Sequence, residues 1–150
     1  MRSLALAPTL SLALFACPGP EPVCEEDIRA QVLDTTALTI VELELELDAE
    51  LADEAVERDR GWKHRRCDRE ALLLIPDLPA SELPVWGCAL TEAIDVALIR
   101  DELVLAVERL EPCAEPCASC PVIAEGVSVD AVLELPADSV AIAAGQRVQW

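Results

Sequence analysis

From Val41 to Asp48 the chain alternates without a slip: Val41, Leu43, Leu45 and Leu47 fall on one side, Glu42, Glu44, Glu46 and Asp48 on the other. A period of two with one apolar face is the pattern of a half-buried β-strand. On a helix the same leucines would be spread around the circumference. The pattern predicts a strand that begins near Thr36 and runs through Asp48. Four carboxylates in a row on its outer face read as a solvated surface, because ligands two apart on a rigid strand diverge and cannot wrap a calcium ion.

The other apolar blocks extend this reading. Ala71-Leu72-Leu73-Leu74-Ile75 is a fully apolar strand stopped by Pro76. The stretch 91–110 reads as a hairpin, with Ile94, Val96 and Leu98 in one arm, a turn at Arg100-Asp101-Glu102, and Leu103, Leu105 and Val107 in the other. A helix at about 91–110 is the alternative, giving an α+β domain, but it would be apolar nearly all round. Val127 to Leu135 alternates until Pro136, and Val140–Ala143 with Arg147–Trp150 around Gly145 predict a closing hairpin. Ala49 to Arg60 reads as one short helix ended by Gly61, and 77–87, with Pro79, Pro84 and Trp86, as loop. The expected fold is mostly β: a small disulfide-stapled β-sandwich-like domain of about seven strands with one short helix.

Composition narrows the partners. The net charge is -18, so a footprint on nucleic-acid phosphates is excluded as a function. Hydrophobic residues make up 53% of the chain, which places it among folded proteins despite its charge. The aromatic residues are Phe15, Trp62, Trp86 and Trp150, so the interior must be built from Leu, Val, Ile and Ala.

The segment before Cys17 has one charge, Arg2, followed by an apolar run from Leu4 to Ala16 that is too short to span a bilayer as a helix. Leu14-Phe15-Ala16-Cys17 resembles the lipobox of bacterial lipoproteins, with Leu three residues before the Cys and Ala just before it; Phe15 departs from the small or hydroxylated residue usual at its position. The resemblance covers 17 of 150 residues. It implies that residues 1–16 are a signal peptide, that the Cys17 thiol carries a diacylglycerol, and that the mature chain starts there, exported to the bacterial cell envelope and anchored to the inner or outer membrane by lipid. Residues 17–23 form a proline-rich tether, which at about 3.1 Å per residue keeps the domain near the bilayer, and 24–150 form a single globular domain. With Cys17 set aside, Cys24, Cys67, Cys88, Cys113, Cys117 and Cys120 are an even set, and an oxidising compartment makes three disulfides the expectation, with the connectivity open.

Motifs for chemistry are sparse. Cys113, Cys117 and Cys120 have the C-x3-C-x2-C spacing that resembles the cluster-binding loop of radical SAM enzymes, but Ser119 stands where that family has an aromatic residue, and export favours paired thiols over a cluster or over zinc shared with His64. Residues 139–150 resemble the second and third strands of cupredoxins; one His is too few for their copper, so the likeness implies only a strand pair. No G-x-S-x-G, H-E-x-x-H or phosphate-cradling loop occurs. No metal or other cofactor is expected, and no catalytic residue is assigned. Arg58, Arg60, Lys63, Arg65, Arg66 and Arg69 supply six of the eleven basic side chains. They read as a counterweight to the carboxylates of 42–57, and Trp62, Lys63, His64, Arg65 and Arg66 are also the candidate membrane or partner patch. The expected function is a non-catalytic binding or structural module that meets the membrane through its lipid and another envelope component through the domain. The alternative is an envelope hydrolase using His64.

Overall fold

The computed structural model describes residues 24–67 and 69–150. The signal-like segment, Cys17 and the 17–23 tether lie outside the described residues. The domain is mostly β with one short helix, as its alternations predict. Its strands in chain order are β1 (Thr35–Ile40), β2 (Leu45–Ala52), then α1 (Ala55–Arg60), β3 (Ala71–Leu74), β4 (Ser81–Glu82) and β5 (Val85–Trp86). They continue with β6 (Ile94–Arg100), β7 (Leu103–Leu110), β8 (Val122–Ile123), β9 (Ser128–Val129), β10 (Ala131–Pro136) and β11 (Val148–Gln149).

Seven strands form one sheet in the order β11-β1-β2-β3-β10-β6-β7, and β4–β9 and β5–β8 are small antiparallel pairs beside it. All pairings in the main sheet are antiparallel except β2–β3, which α1 connects. The sheet curls until its two ends meet. The amides of Val104, Gly145 and Val148 donate to the carbonyls of Gln146, Val104 and Glu102 at 2.9, 2.8 and 2.8 Å, and Leu103 bridges Arg147. Arg147 also ties this seam to the turn between β1 and β2, donating from its backbone and Nε to the Glu42 carboxylate at 2.6 and 3.0 Å.

Curling creates an inner core to which every strand of the sheet contributes, among them Leu38, Ile40, Leu47, Leu73, Ile99, Val104, Leu133 and Val148. The opposite face of β3, β10 and β6 carries Leu72, Leu74, Val132, Val96 and Leu98, packed with Trp62, Val85 and Val129 into an outer core. Segments without long strands cover that outer core, and disulfides hold them. Cys24–Cys67 fastens the N-terminal arm, and Cys88–Cys117 with Cys113–Cys120 staple the 111–120 loop. All six predicted cysteines are therefore paired, and the C-x3-C-x2-C thiols serve two different bridges.

Five sequence expectations change. The strand expected over 36–48 is a hairpin: Val41–Leu43 form a 3-10 turn and Glu44 takes φ 51, so that Ile40 faces Leu45. Period two is blind to such a turn, since both arms keep the same face inward and no Gly or Pro marks it. The helix expected from Ala49 starts at Ala55, because Ala49–Ala52 pair in parallel with Ala71–Leu74 and the ladder overrides helix propensity. Val140–Ala143 form no closing hairpin; Ile142 is buried in the inner core, and β11 pairs with β1 instead. Within 77–87, read as loop, β4 and β5 form short ladders. The alternation from Val127 to Leu135 breaks at Asp130, whose two carboxylate oxygens accept the Ala80 and Asp101 amides, each at 2.8 Å. The 91–110 hairpin is present, its two turn residues Asp101 and Glu102 at φ 51 and 62.

Gly87 shows how tightly the outer cover is drawn. A Cβ built on it would stand 2.1 Å from the Glu111 carbonyl oxygen, where the strand of cover after β7 crosses the loop before Cys88, and Cys113 donates to the Gly87 carbonyl at 2.8 Å. Gly87→Ala is expected to destabilise the oxidised protein by about 3 kcal/mol in urea denaturation, through forced separation of these backbones. A midpoint equal to wild type would show that the two segments are not held in register.

Candidate functional site

One gap in the outer cover lies over the centre of the sheet. Between the end of α1 and the Leu83–Trp86 segment a cleft of about 200 Å³ opens above β10. Its walls are Leu74, Leu83, Val85 and Leu90, with the indoles of Trp62 and Trp86, and Glu134 lies at its floor. Glu134 sits mid-strand on β10, between Leu72 of β3 and Val96 of β6, and alternation puts it on the outer face with Val132. It is the one charged residue among the described residues that is buried, at 3% exposure, and its Oε2 has no hydrogen-bond partner.

Burial pushes the Glu134 carboxyl up to about 8, with the Arg69 guanidinium pulling weakly the other way. At neutral pH the group therefore holds its proton and is a hydrogen-bond donor as well as an acceptor. Gly61 faces it. This residue ends α1 at φ 47, and a Cβ there would lie 3.9 Å from both carboxyl oxygens. Glycine thus serves the helix terminus and keeps the carboxyl open to the cleft. The start of α1 is fixed by a capping box in which the Glu54 amide donates to Glu57 at 3.1 Å.

The basic stretch after the helix separates into two groups. Arg58 pairs with Asp77 at 2.7 Å, Arg65 with Glu50, Arg66 with Asp27 at 3.3 Å and Arg69 with Glu92 at 3.2 Å. Arg60 and Lys63 have no carboxylate partner among the described residues, and both line the cleft. Lys63, the only lysine in the chain, donates to the Asp59 carbonyl at 2.6 Å and holds its ammonium 5.2 Å from the centre of the Trp86 ring.

The candidate patch residues do not share one surface. Trp62 is 2% exposed, its Nε1 donating to Glu50 at 2.7 Å and its ring under the Arg69 guanidinium at 5.1 Å. Arg65 is half-buried, bonded to the Gln31 carbonyl at 3.0 Å, and only Arg66 is exposed. His64 is half-buried, with Nε2 3.9 Å from Glu115; it does not line the Glu134 cleft, and among the described residues no hydroxyl hydrogen-bonds its ring. No group of three His, Cys, Asp or Glu side chains among the described residues is arranged to hold a metal ion. Glu134 itself escapes a reading by alternation, which assigns a lone acid in a strand to the solvated face. Its signal is the setting, Val132-Leu133-Glu134-Leu135, where both faces of the strand are apolar.

The fold and site define a curled, disulfide-stapled β domain with a protonated acid at the floor of an apolar cleft. Residues 37–150 match the model of the family DUF192, described as "Uncharacterized ACR", and the chain belongs to that family. No curated protein matches it. Among solved structures, a protein of unknown function from Novosphingobium aromaticivorans DSM 12444 aligns with a TM-score of 0.62 at 21% identity, over 79% of this chain and 86% of that one. A "putative transcription regulator" from Sinorhizobium meliloti 1021 aligns with a TM-score of 0.61 at 21% identity, over 79% of this chain and 97% of that one. At this identity the likeness shows the fold.

The raised Glu134 carboxyl makes stability depend on pH in a defined direction. Unfolded, it ionises above its ordinary 4.5; folded, it stays protonated to about 8. Between these values the native state binds the extra proton, so stability falls as pH rises. A glutamine has no such slope. Urea denaturation from pH 4 to 8.5 is expected to show Glu134→Gln gaining on wild type by on the order of 4 kcal/mol across the window. A constant difference between the two proteins would mean that the carboxyl is ionised in the fold.

Proposed function

We propose that this protein is a non-catalytic binding module of the bacterial cell envelope, held at a membrane through lipid on Cys17, with the Glu134 cleft as its ligand site. The observation that carries the reading is the unpartnered Glu134 carboxyl, buried at the floor of an apolar cleft that still opens to solvent. A buried polar atom without a partner is costly unless something supplies one, and perturbed acids in clefts are characteristic of functional sites. The lipobox-like segment and three disulfides support export. No helix among the described residues is long and apolar enough to cross a membrane. The Cys24–Cys67 bridge lies shortly after the tether, which would hold the domain near the surface to which Cys17 is attached.

Two experiments test the two halves separately. Labelled palmitate is expected to enter wild type and not Cys17→Ser; equal labelling would remove the anchor. For the cleft, nitrogen-15 spectra of the domain titrated with a fragment library of acids, amines, sugars and amides are expected to show shifts grouped at the amides of Gly61, Lys63 and Trp86. Leu74→Trp, which fills the cleft, is expected to abolish them. Fragments that leave those amides unmoved, or move them equally in Leu74→Trp, would remove the cleft as a site.

A further inference from the structure

The charges and walls of the Glu134 cleft also restrict what fits it. Three cations line it, and Arg58 is committed to Asp77 and to the Ile75 carbonyl at 2.9 Å. Arg60 and Lys63 are left, against the Asp59 carboxylate. In a chain with a net charge of -18, a rim with more positive than negative side chains is a local inversion of the field, favouring an anion. Each of the two indoles already carries a resident cation. Lys63 sits over Trp86 and Arg69 over Trp62, so an ammonium ligand would compete with resident cations of its own sign, and Trp62, at 2% exposure, offers a sugar ring no face to stack on. The walls between rim and floor are apolar, and the floor offers a proton on a group whose Oε2 lacks a partner.

We propose, resting on the reading of this cleft as a ligand site, that it binds a small organic anion whose carboxylate meets Lys63 and Arg60 at the rim and whose aliphatic body carries an oxygen acceptor down to Glu134. Each part has a distinct chemical requirement. The head needs charge, since Lys63 offers three donors and has only one carbonyl partner. The body needs to be short and apolar, as a cleft of about 200 Å³ admits only a small molecule. The far oxygen accepts from protonated Glu134, a contact that disappears when the acid ionises. The charged groups around that acid are Arg69 behind it and Arg58, Asp59, Arg60 and Lys63 at the rim.

Levulinate, a short acid with a ketone oxygen, is a suitable probe, with valerate lacking the ketone, methyl levulinate lacking the charge, and choline and glucose as the competing classes. In calorimetric titration at pH 7, levulinate is expected to bind more tightly than valerate or methyl levulinate by roughly tenfold each, the factor for one lost polar contact. Choline and glucose are expected not to bind. Lys63→Ala is expected to bring levulinate down to the affinity of its ester, and Glu134→Leu down to that of valerate. Wild-type affinity for levulinate is expected to fall as pH rises past about 8, while Glu134→Gln, permanently neutral, keeps binding without that fall. Choline or glucose binding that shifts the Gly61, Lys63 and Trp86 amides would overturn the anion and leave the cleft as a ligand site. Levulinate binding unchanged in both Lys63→Ala and Glu134→Leu would also overturn the anion, while silence of the cleft to every probe would remove site and ligand together.

Discussion

Strands β3, β10 and β6 are apolar on both faces, and a sheet with such a centre has to be covered twice. The inner cover comes from the sheet itself, which curls until β7 and β11 meet through the backbone of Glu102, Val104, Gly145, Gln146 and Val148. Closure shields part of both edges as well as the inner face. Small residues make the curl possible: Ala49, Ala71, Ala97 and Ala131 all point into the inner core, which among the described residues contains no aromatic side chain. Among the described residues the outer face has no second sheet of comparable size. It is covered by α1 and by segments with two-residue strands, and these are fastened by disulfides and by side-chain bonds to backbone, such as those of Asp130 to Ala80 and Asp101. A cover built in this way has gaps, and the Glu134 cleft is one of them.

Much of the fold was legible because the chain keeps period two through β1 and the first half of β2, although β7 departs from it, with Val104 buried and Leu103 and Leu105 exposed. The runs Leu72–Leu74 and Val96–Ile99 also read correctly as strands, since flanking turn and proline signals bound them. What alternation could not show was a turn without turn residues. Glu44, Asp101 and Glu102 all take positive φ although none is Gly or Asn. At 101–102 the arms themselves revealed the hairpin, because Arg100 and Asp101 interrupted the apolar run; at 44 the pattern continued through the turn and hid it. The parity of the cysteines was readable and their partners were not, because Cys113 and Cys117 lie close in sequence yet pair with Cys120 and Cys88 on different sides of the loop. Of the candidate site, Lys63 and Trp62 stood out in the basic stretch. Glu134 did not, because whether an acid on a strand faces water depends on a cover supplied by residues far away in sequence.

The electrostatics follow from the same incomplete cover. The arginines after α1 act as the counterweight the sequence implied, but their partners are mostly not the carboxylates of 42–57. Glu42 is occupied by Arg147 at the seam, and Glu46 and Asp48 stay exposed on β2. Asp27, Asp77 and Glu92 reach the arginines instead, together with Glu50. Exposed pairs of this kind add little stability each; their effect is to bring the N-terminal arm, the loop after β3 and the loop before β6 to a common centre. That pairing leaves Arg60 and Lys63 over, and the geometry of α1 sets both at the cleft.

The acid at the floor is the least expected part of the design from the standpoint of stability. Glu134 lies among Leu72, Leu74, Val96 and Val132, where an aliphatic side chain would complete the outer core without a polar atom to satisfy. Arg69, the cation nearest in effect, lies over Trp62 and bonds to Glu92, so it does not close an ion pair with the carboxyl. Gly61 then leaves the face of the carboxyl uncovered where most other residues would place a side chain. Two choices therefore run against the fold at one point, an acid in an apolar layer and a cation directed elsewhere, beside a glycine that the helix end itself requires. Sequences agree with their structures nearly everywhere except at functional sites, and this local disagreement at the cleft floor is what the proposed ligand reading rests on.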